Sequence, residues 1–230
     1  MIKIIPAAQR HFQDFGWLAT HWLFSFDTYY DPDNLQFGSL RVFNDDVVQA
    51  GGFPPHPHAE MEIITIVLSG EVTHSDSMGN KTIIRSGDVQ RMTAGTGIRH
   101  SEFNFGDEPL HLYQIWITPD RPRQTPSYDQ KTIPLASLKN RLWAVASSQD
   151  YPDAVHLNTD ATIYLGDFDA GHAHEFRNQK VRRLFVYLTS GQLEINGTLL
   201  GAGDQARMEG ESLLKTKAQE ACRFIVIDIP

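Results

Sequence analysis

Gly51-Gly-Phe-Pro-Pro-His56-Pro-His58-Ala-Glu-Met-Glu62 is the segment from which most can be inferred about this chain. Its three prolines keep the backbone extended and remove amide donors, which disfavours a helix and predicts a strand. Side chains two residues apart on a strand point to the same face, so His56 and His58 should lie side by side. Glu62 has the same parity, and three potential metal ligands could therefore converge on one face.

A second cluster lies further along the chain, in Thr93-Ala-Gly-Thr-Gly-Ile-Arg-His100-Ser-Glu102-Phe-Asn104. Here His100 and Glu102 repeat the two-residue spacing. Three histidines with one or two carboxylates on paired strands predict a site for one divalent first-row metal ion. Iron(II) is the first choice, with nickel, manganese, copper and zinc as alternatives, because affinity order alone does not decide which ion is bound. The spacing leaves open whether Glu62 or Glu102 supplies the carboxylate.

Composition and charge narrow the classes of function. The chain has 230 residues, of which 41% are hydrophobic and 21% charged, as is usual for a globular protein with a substantial core. The formal net charge of −8 disfavours direct binding of nucleic acid. The single cysteine, Cys222, excludes a disulfide framework. There is no signal-peptide pattern and no apolar run long enough to span a bilayer, so we expect a cytoplasmic protein without a membrane partner.

Short apolar runs separated by glycine and proline predict an all-β sandwich or barrel. The order of signals also repeats along the chain. His56-x-His58, an apolar strand, Ser69-Gly70 and Gly87-Asp88 in the first half correspond to four features of the second half, namely His172-x-His174, the run 181–188, Ser190-Gly191 and Gly203-Asp204. This pattern predicts a duplicated β unit. No histidine follows Gly203-Asp204, so His172 and His174 are not expected to bind a second metal ion.

The motifs of the first half resemble those of the cupin superfamily, which are a glycine-led His-x-His-x3-Glu and a Gly-Asp-led segment that ends in His-x3-Asn. Within the cupins, three blocks of this chain are similar to the pirin family, and more narrowly to bacterial pirins that act as quercetin 2,3-dioxygenases. These blocks are Trp22–Pro32, His56-Pro-His58 and Met92–Glu102. The similarity in motifs covers residues 15–120, and in the rest of the chain it is one of architecture.

The resemblance implies an all-β bicupin, with two antiparallel jelly-roll β-barrels and a metal site in the N-terminal one. We therefore expect a cupin domain with the metal at 1–130 and a degenerate cupin domain without metal at 131–230. The pirin pattern assigns the metal to His56, His58, His100 and Glu102. It leaves Glu62 outside direct coordination, where we expect it to hydrogen-bond a ligand histidine and fix its tautomer.

The resemblance further implies a metal-dependent dioxygenase that opens the heterocycle of a flavonol such as quercetin and releases carbon monoxide. Glu102 would accept the proton of the 3-hydroxyl as general base. The alternative is a non-enzymatic, redox-responsive regulator that binds a transcription factor or a metabolic enzyme as its protein partner. An open pocket that reaches the metal distinguishes the two, because a regulator needs none. For His74 two positions stay open, one in the wall of such a pocket and one facing water.

Overall fold

The computed structural model describes residues 1–177 and 182–230. Strands dominate, which confirms the prediction of an all-β chain, and the helices among these residues are two short 3-10 helices, Ala7–Gln9 and Leu135–Leu138. Neither is long and apolar enough to cross a membrane.

The strands of the first part of the chain are β1 (Ile2–Ile5), β2 (His11–Asp14), β3 (Leu18–Trp22), β4 (Leu40–Val48), β5 (Gly51–His58), β6 (Glu62–Ser69), β7 (Glu71–Asp76), β8 (Lys81–Arg85), β9 (Asp88–Thr93), β10 (Ile98–Asn104), β11 (Leu110–Ile117) and β12 (Ser127–Thr132). Those of the second part are β13 (Leu142–Ser147), β14 (Val155–His156), β15 (Thr162–Phe168), β16 (Ala173–Arg177), β17 (Arg183–Ser190), β18 (Gln192–Ile195), β19 (Thr198–Gly201), β20 (Gln205–Met208), β21 (Leu213–Ala218) and β22 (Cys222–Ile229).

The chain divides into two compact units. The N-terminal unit consists of His11–Ile133 and Ser148–Asp160, and the C-terminal unit consists of Met1–Arg10, Pro134–Ser147 and Ala161–Pro230. The domain ranges 1–130 and 131–230 expected from the sequence stay a prediction.

The N-terminal unit consists mainly of two antiparallel sheets. One has the strand order β12-β9-β6-β11-β4-β3-β2 and the other the order β5-β10-β7-β8. Buried side chains of both sheets share one apolar cluster, with Val67 and Leu112 from the larger sheet and Val72 and Ile84 from the smaller. The sheets are therefore the two layers of a sandwich, and side chains that point inward from either sheet meet in its interior.

The C-terminal unit repeats this construction. Its larger sheet contains β1, β20, β17, β22, β15 and β13 in that order, and its smaller sheet has the order β16-β21-β18-β19. The central order β20-β17-β22-β15 corresponds to β9-β6-β11-β4 of the N-terminal unit, which agrees with the predicted duplication. The run predicted to begin at Val181 starts outside the described residues, and the strand is observed over Arg183–Ser190.

Candidate metal centre

Three histidines meet where β5 pairs with β10. The register places His100 opposite His56 and Ile98 opposite His58. The ring centroids of His56 and His58 are 4.8 Å apart, and those of His100 lie 4.5 Å and 5.0 Å from them. One nitrogen of each ring lies within 4.8 Å of the others. The structure thus brings together all three histidines predicted to bind the metal.

Glu102 lies two residues after His100 on β10 and therefore on the same face of that strand. The pairing beside it is irregular, because His100 pairs with His56 and Glu102 with Phe53, which gives β5 one extra residue. Such a bulge bends the strand that carries the extra residue, so it changes the course of β5 opposite Glu102. Glu102 is almost fully buried, and its carboxylate groups with the rings of His74 and His100, with ligand atoms within 4.8 Å of one another.

A hydrogen-bond network from the larger sheet holds the Glu102 carboxylate. The side-chain amide of Gln114 donates to its Oε2 over 2.9 Å. The Thr65 hydroxyl lies 3.3 Å from its Oε1 and 3.2 Å from Oε1 of Gln114, and Gln90 donates to that hydroxyl over 3.4 Å. These three polar residues were not found by sequence reasoning. Their signal is a polar side chain inside an otherwise apolar strand, as at Thr65 in Ile63-Ile-Thr-Ile-Val67.

The electrostatics of the cluster favour neutral imidazoles. Burial, and then the neighbouring histidines, lower the pKa of His58 to about 4 and that of His100 to about 3. Metal ions bind the neutral form of histidine, so little proton release is needed at neutral pH. The Nδ1–H of His56 donates to the carbonyl oxygen of Pro54 over 2.8 Å, which leaves its Nε2 with a free lone pair.

His100 gives the clearest indication that the cluster fits a metal ion. Both of its ring nitrogens are buried, and neither has a hydrogen-bond partner among the described residues. A buried polar atom without a partner costs about 1–3 kcal/mol, so native structures keep few of them. A metal ion bound by one of these nitrogens would remove this cost.

The structure places Glu62 away from the histidines. β5 ends at His58 and β6 begins at Glu62, and between them Glu60 has a left-handed φ of 52°, so the parity of the first strand does not continue into the second. Oε2 of Glu62 accepts the backbone N–H of Asn158 over 3.4 Å, and the Thr93 side chain and the Arg91 guanidinium also act on this carboxyl group. The expected hydrogen bond to a ligand histidine is not made, because Glu62 points to the opposite face of β6 from Thr65.

His74, for which the sequence left two positions open, does not face water. It is fully buried, lies opposite Glu102 in the pairing of β7 with β10, and forms a hydrogen bond of 3.2 Å from Nε2 to Oδ2 of Asp76. Its ring centroid is 5.4 Å from that of His100. It is therefore a second buried histidine beside Glu102, and a competing ligand for any ion bound there.

A cavity of about 430 Å³ opens onto the cluster, and His56, His58, His100 and Glu102 all line it. Six aromatic side chains form much of its wall, namely Phe15, Trp17, Trp22, Phe26, Phe53 and Trp116. The Trp116 ring lies 4.8 Å from His58 and 5.4 Å from Phe26, edge to face in both pairs. The opening third of the sequence thus supplies aromatic residues to the pocket as well as to the core.

His172 and His174 lie in the C-terminal unit, with ring centroids 6.4 Å apart. The position opposite His174 is Thr216, whereas the position opposite His56 is His100. Among the described residues, the groups of side chains close enough to hold a metal ion are all in the N-terminal unit.

Comparison with known proteins finds two family models in the chain. The model described as pirin matches residues 6–117, and the quercetinase C-terminal cupin domain matches residues 144–229. A pirin-like protein of Caulobacter vibrioides is 40% identical over 217 residues, which are 94% of each chain. The quercetin 2,3-dioxygenase of Escherichia coli K12 is 38% identical over 234 residues, covering 100% of this chain and 99% of its own.

Solved structures agree in fold over the whole chain. The crystal structure of YhhW from Escherichia coli superposes with a TM-score of 0.95 at 37% identity, covering 100% of this chain and 98% of that one. The bacterial pirin YhhW in complex with nickel(II) gives a TM-score of 0.94 at 36% identity, covering 100% and 99%. Identity of this level over the full length, together with the two family models, shows that the chain belongs to the pirin family, with two cupin-type domains.

Proposed function

We propose that this chain is a metal-dependent dioxygenase of the pirin type, which opens the heterocycle of a flavonol such as quercetin with O2 and releases carbon monoxide. The observation that carries the proposal is the position of the histidine cluster, which lines a cavity with a largely aromatic wall. Cavities of about 300–1,000 Å³ with mainly apolar walls and a few polar groups are typical of sites for small molecules. A flavonol has two fused rings and a third ring linked to them, and such flat rings pack well against aromatic side chains.

In this proposal His56, His58, His100 and Glu102 hold one divalent metal ion, with iron(II) as the first candidate and nickel, manganese, copper and zinc as the others. The nickel(II) complex of the related Escherichia coli pirin supports a divalent ion. The names of the similar quercetin dioxygenases support a flavonol. A bound ion would supply Lewis-acid chemistry at the hydroxyl and carbonyl oxygens of the substrate.

The residues of the chain have three tasks. The aromatic rings of Trp17, Phe26 and Trp116 hold the flat substrate and exclude water from it. Glu102 accepts the proton of the 3-hydroxyl as general base. Oε2 of Glu102 accepts a hydrogen bond from the side-chain amide of Gln114. The Thr65 hydroxyl has a single hydrogen, which it can donate either to Oε1 of Glu102 or to Oε1 of Gln114. Oε1 of Glu102 is therefore the less strongly hydrogen-bonded oxygen, and we assign the proton to it.

The alternative is the non-enzymatic regulator that responds to the redox state of its metal and binds a protein partner. Such a protein needs no pocket beside the ion. The cavity beside His56 and His58 therefore favours the enzyme, and the regulator becomes the conclusion only if the metal-loaded protein does not turn over.

The test is anaerobic reconstitution with iron(II), followed by quercetin and air, with flavonol absorbance and carbon monoxide recorded together. Turnover in the wild type, lost in His100→Ala along with the metal, is expected. Glu102→Gln should turn over far more slowly, and its metal content must be measured, because full activity in this variant would remove the base role. If the protein binds metal in a 1:1 ratio but leaves quercetin intact with each of the candidate ions, the dioxygenase is rejected in favour of the regulator.

A further inference from the structure

A row of polar side chains crosses the inner face of the larger sheet of the N-terminal unit. Asn44 on β4 is paired with Gln114 on β11, Gln114 with Thr65 on β6, and Thr65 with Gln90 on β9. Residues directly opposite each other in antiparallel strands point to the same face. All four side chains therefore point into the sandwich, and Gln114 and Thr65 in the middle of the row hold Glu102.

Asn44, at the end of this row, and Asp46 have no such task. They stand two residues apart on β4, so both side chains point inward, and both line the aromatic cavity. Asn44 is 4% exposed and Asp46 is 3% exposed. Oδ1 of each is buried and lacks a hydrogen-bond partner among the described residues.

Two unpaired oxygens on one strand are costly. Leaving a buried acceptor unsatisfied costs about 1–3 kcal/mol, and a buried carboxylate costs more. The cost is visible at Asp46, where burial raises the pKa of the carboxyl group to about 7 even though the Thr20 side chain, as a hydrogen-bond partner, lowers it. Leucine at either position would fill a similar volume without this penalty, so the two oxygens indicate a partner that comes from the cavity.

We propose that Asn44 and Asp46 recognise hydroxyl groups of the ligand, with each side-chain oxygen accepting a hydrogen bond from a donor other than the 3-hydroxyl. This inference rests on the proposed function and adds to it the two residues that select a flavonol with hydroxyl groups beyond the 3-position. The pair would separate such ligands from flavonols that carry only the 3-hydroxyl and the 4-carbonyl.

The spacing on the sheet fits this division of the pocket. Asn44 is one strand away from Gln114, roughly 4.8 Å, and therefore close to the position of the Glu102 carboxylate. Asp46 is two residues further along β4, roughly 6.8 Å. One end of a polyhydroxylated ring system can then be held at the histidines while hydroxyl groups of the remaining rings reach β4. A site built to bind a hydroxyl group discriminates strongly against an analogue that lacks it, because its own polar groups stay unpaired.

The test uses the full chain loaded with nickel(II) under anaerobic conditions, so that binding is measured without turnover. Quercetin and 3-hydroxyflavone are the two probes, since both carry the 3-hydroxyl and 4-carbonyl but only quercetin has hydroxyl groups elsewhere. We expect the wild type to bind quercetin at least about tenfold more tightly. Asn44→Leu and Asp46→Leu should each lose about tenfold in affinity for quercetin and leave the affinity for 3-hydroxyflavone unchanged.

The exposed Asp33, outside the cavity, provides the control, and Asp33→Asn should bind both probes as the wild type does. Where Asp46→Leu is not recovered folded, Asp46→Asn replaces it, with a loss of about threefold for quercetin alone, because an amide oxygen is a weaker acceptor than a carboxylate. Equal changes for both probes, or no change for quercetin, would overturn the inference and leave ordered water as the partner of the two oxygens. If the wild type neither binds nor turns over either flavonol, the proposed function itself has failed.

Discussion

The side-chain amide of Gln114 donates a hydrogen bond of 2.9 Å to Oε2 of Glu102, and both residues lie in the interior of the N-terminal unit. This contact, which comes from the larger sheet, fixes the orientation of one of the predicted metal ligands. Replacing Gln114 by methionine keeps most of the volume and removes the donor. Loss of such a supporting hydrogen bond typically weakens metal binding 10–100-fold, and we expect a change of about this size in a competition titration with a chelator.

Gln49→Met is the matched control, because Gln49 is exposed and its side chain has no hydrogen bond among those described. The melting temperatures of the metal-free proteins are recorded as well, since a general loss of stability would lower affinity indirectly. An unchanged metal affinity in Gln114→Met would show that Glu102 does not need this support.

His58 and His74 are alternative partners for His100, and alanine substitutions separate them. The rings of His56, His58 and His100 form one possible set of ligands, and His74, His100 and Glu102 form another. Nε2 of His74 is engaged with Asp76, which leaves its buried Nδ1 as the nitrogen open to an ion. His58 lines the cavity, and His74 is not part of its lining. We therefore expect His58→Ala to lose the metal, and His74→Ala to retain one ion per chain with weaker affinity. Metal content after dialysis measures both, and the reverse result would move the site to His74.

Sequence reasoning succeeded where the signal is local. His56 and His58 lie on a common face because they are two residues apart in a segment that proline keeps extended. His100 and Glu102 have the same two-residue spacing on β10. The prediction that Glu62 shares a face with His56 and His58 was wrong, because it extended the alternation of side chains along β5 through a turn. The left-handed backbone at Glu60 breaks the strand, and the alternation of the two faces starts anew in β6.

The residues that surround the site cannot be predicted from local sequence patterns. Gln114, Thr65 and Gln90 are neighbours only because β11, β6 and β9 are paired in one register, and strand pairing over such sequence distances is not contained in any short motif. The β1 strand shows the same limit, since Ile2–Ile5 pairs with β20 at the other end of the chain. A polar residue in an apolar strand indicates that a partner exists without identifying it.

The raised pKa of Asp46 predicts a specific dependence of stability on pH. Burial is the main cause of the pKa of about 7, and the carboxylates of Asp45 and Glu102 add to it. Because the unfolded carboxyl group titrates near 3.8, the folded state binds more protons between these values, so the free energy of unfolding falls as pH rises towards 7. Asp46→Asn removes this group. The variant should therefore gain stability relative to the wild type by about 2.5 kcal/mol between pH 5 and pH 8.

Denaturant unfolding of the metal-free proteins at both pH values measures the difference. Titrating groups that do not interact with Asp46 cancel between the two proteins. The change in their difference therefore reports on Asp46 together with its coupling to Asp45, Glu102 and His111. A gap that stays constant with pH would mean that the Asp46 carboxyl group titrates in the same way in the folded and unfolded chains.

Gly52 controls how closely β5 approaches β10, and thus the positions of the ligands on both strands. A Cβ at this position would overlap the carbonyl oxygen of Glu102 and the Cα of Phe103, which is its partner in the pairing. These are backbone atoms, so Gly52→Ala must separate the strands, and overpacking of this kind costs about 1–3 kcal/mol. We expect a lower melting temperature together with weaker metal binding, because Glu102 moves with its backbone. At Gly201 a Cβ would lie 3.7 Å from its nearest neighbour, an ordinary contact, and Gly201→Ala should leave metal binding unchanged. If Gly52→Ala binds metal as tightly as Gly201→Ala, the spacing of β5 and β10 is not what sets the geometry of the site.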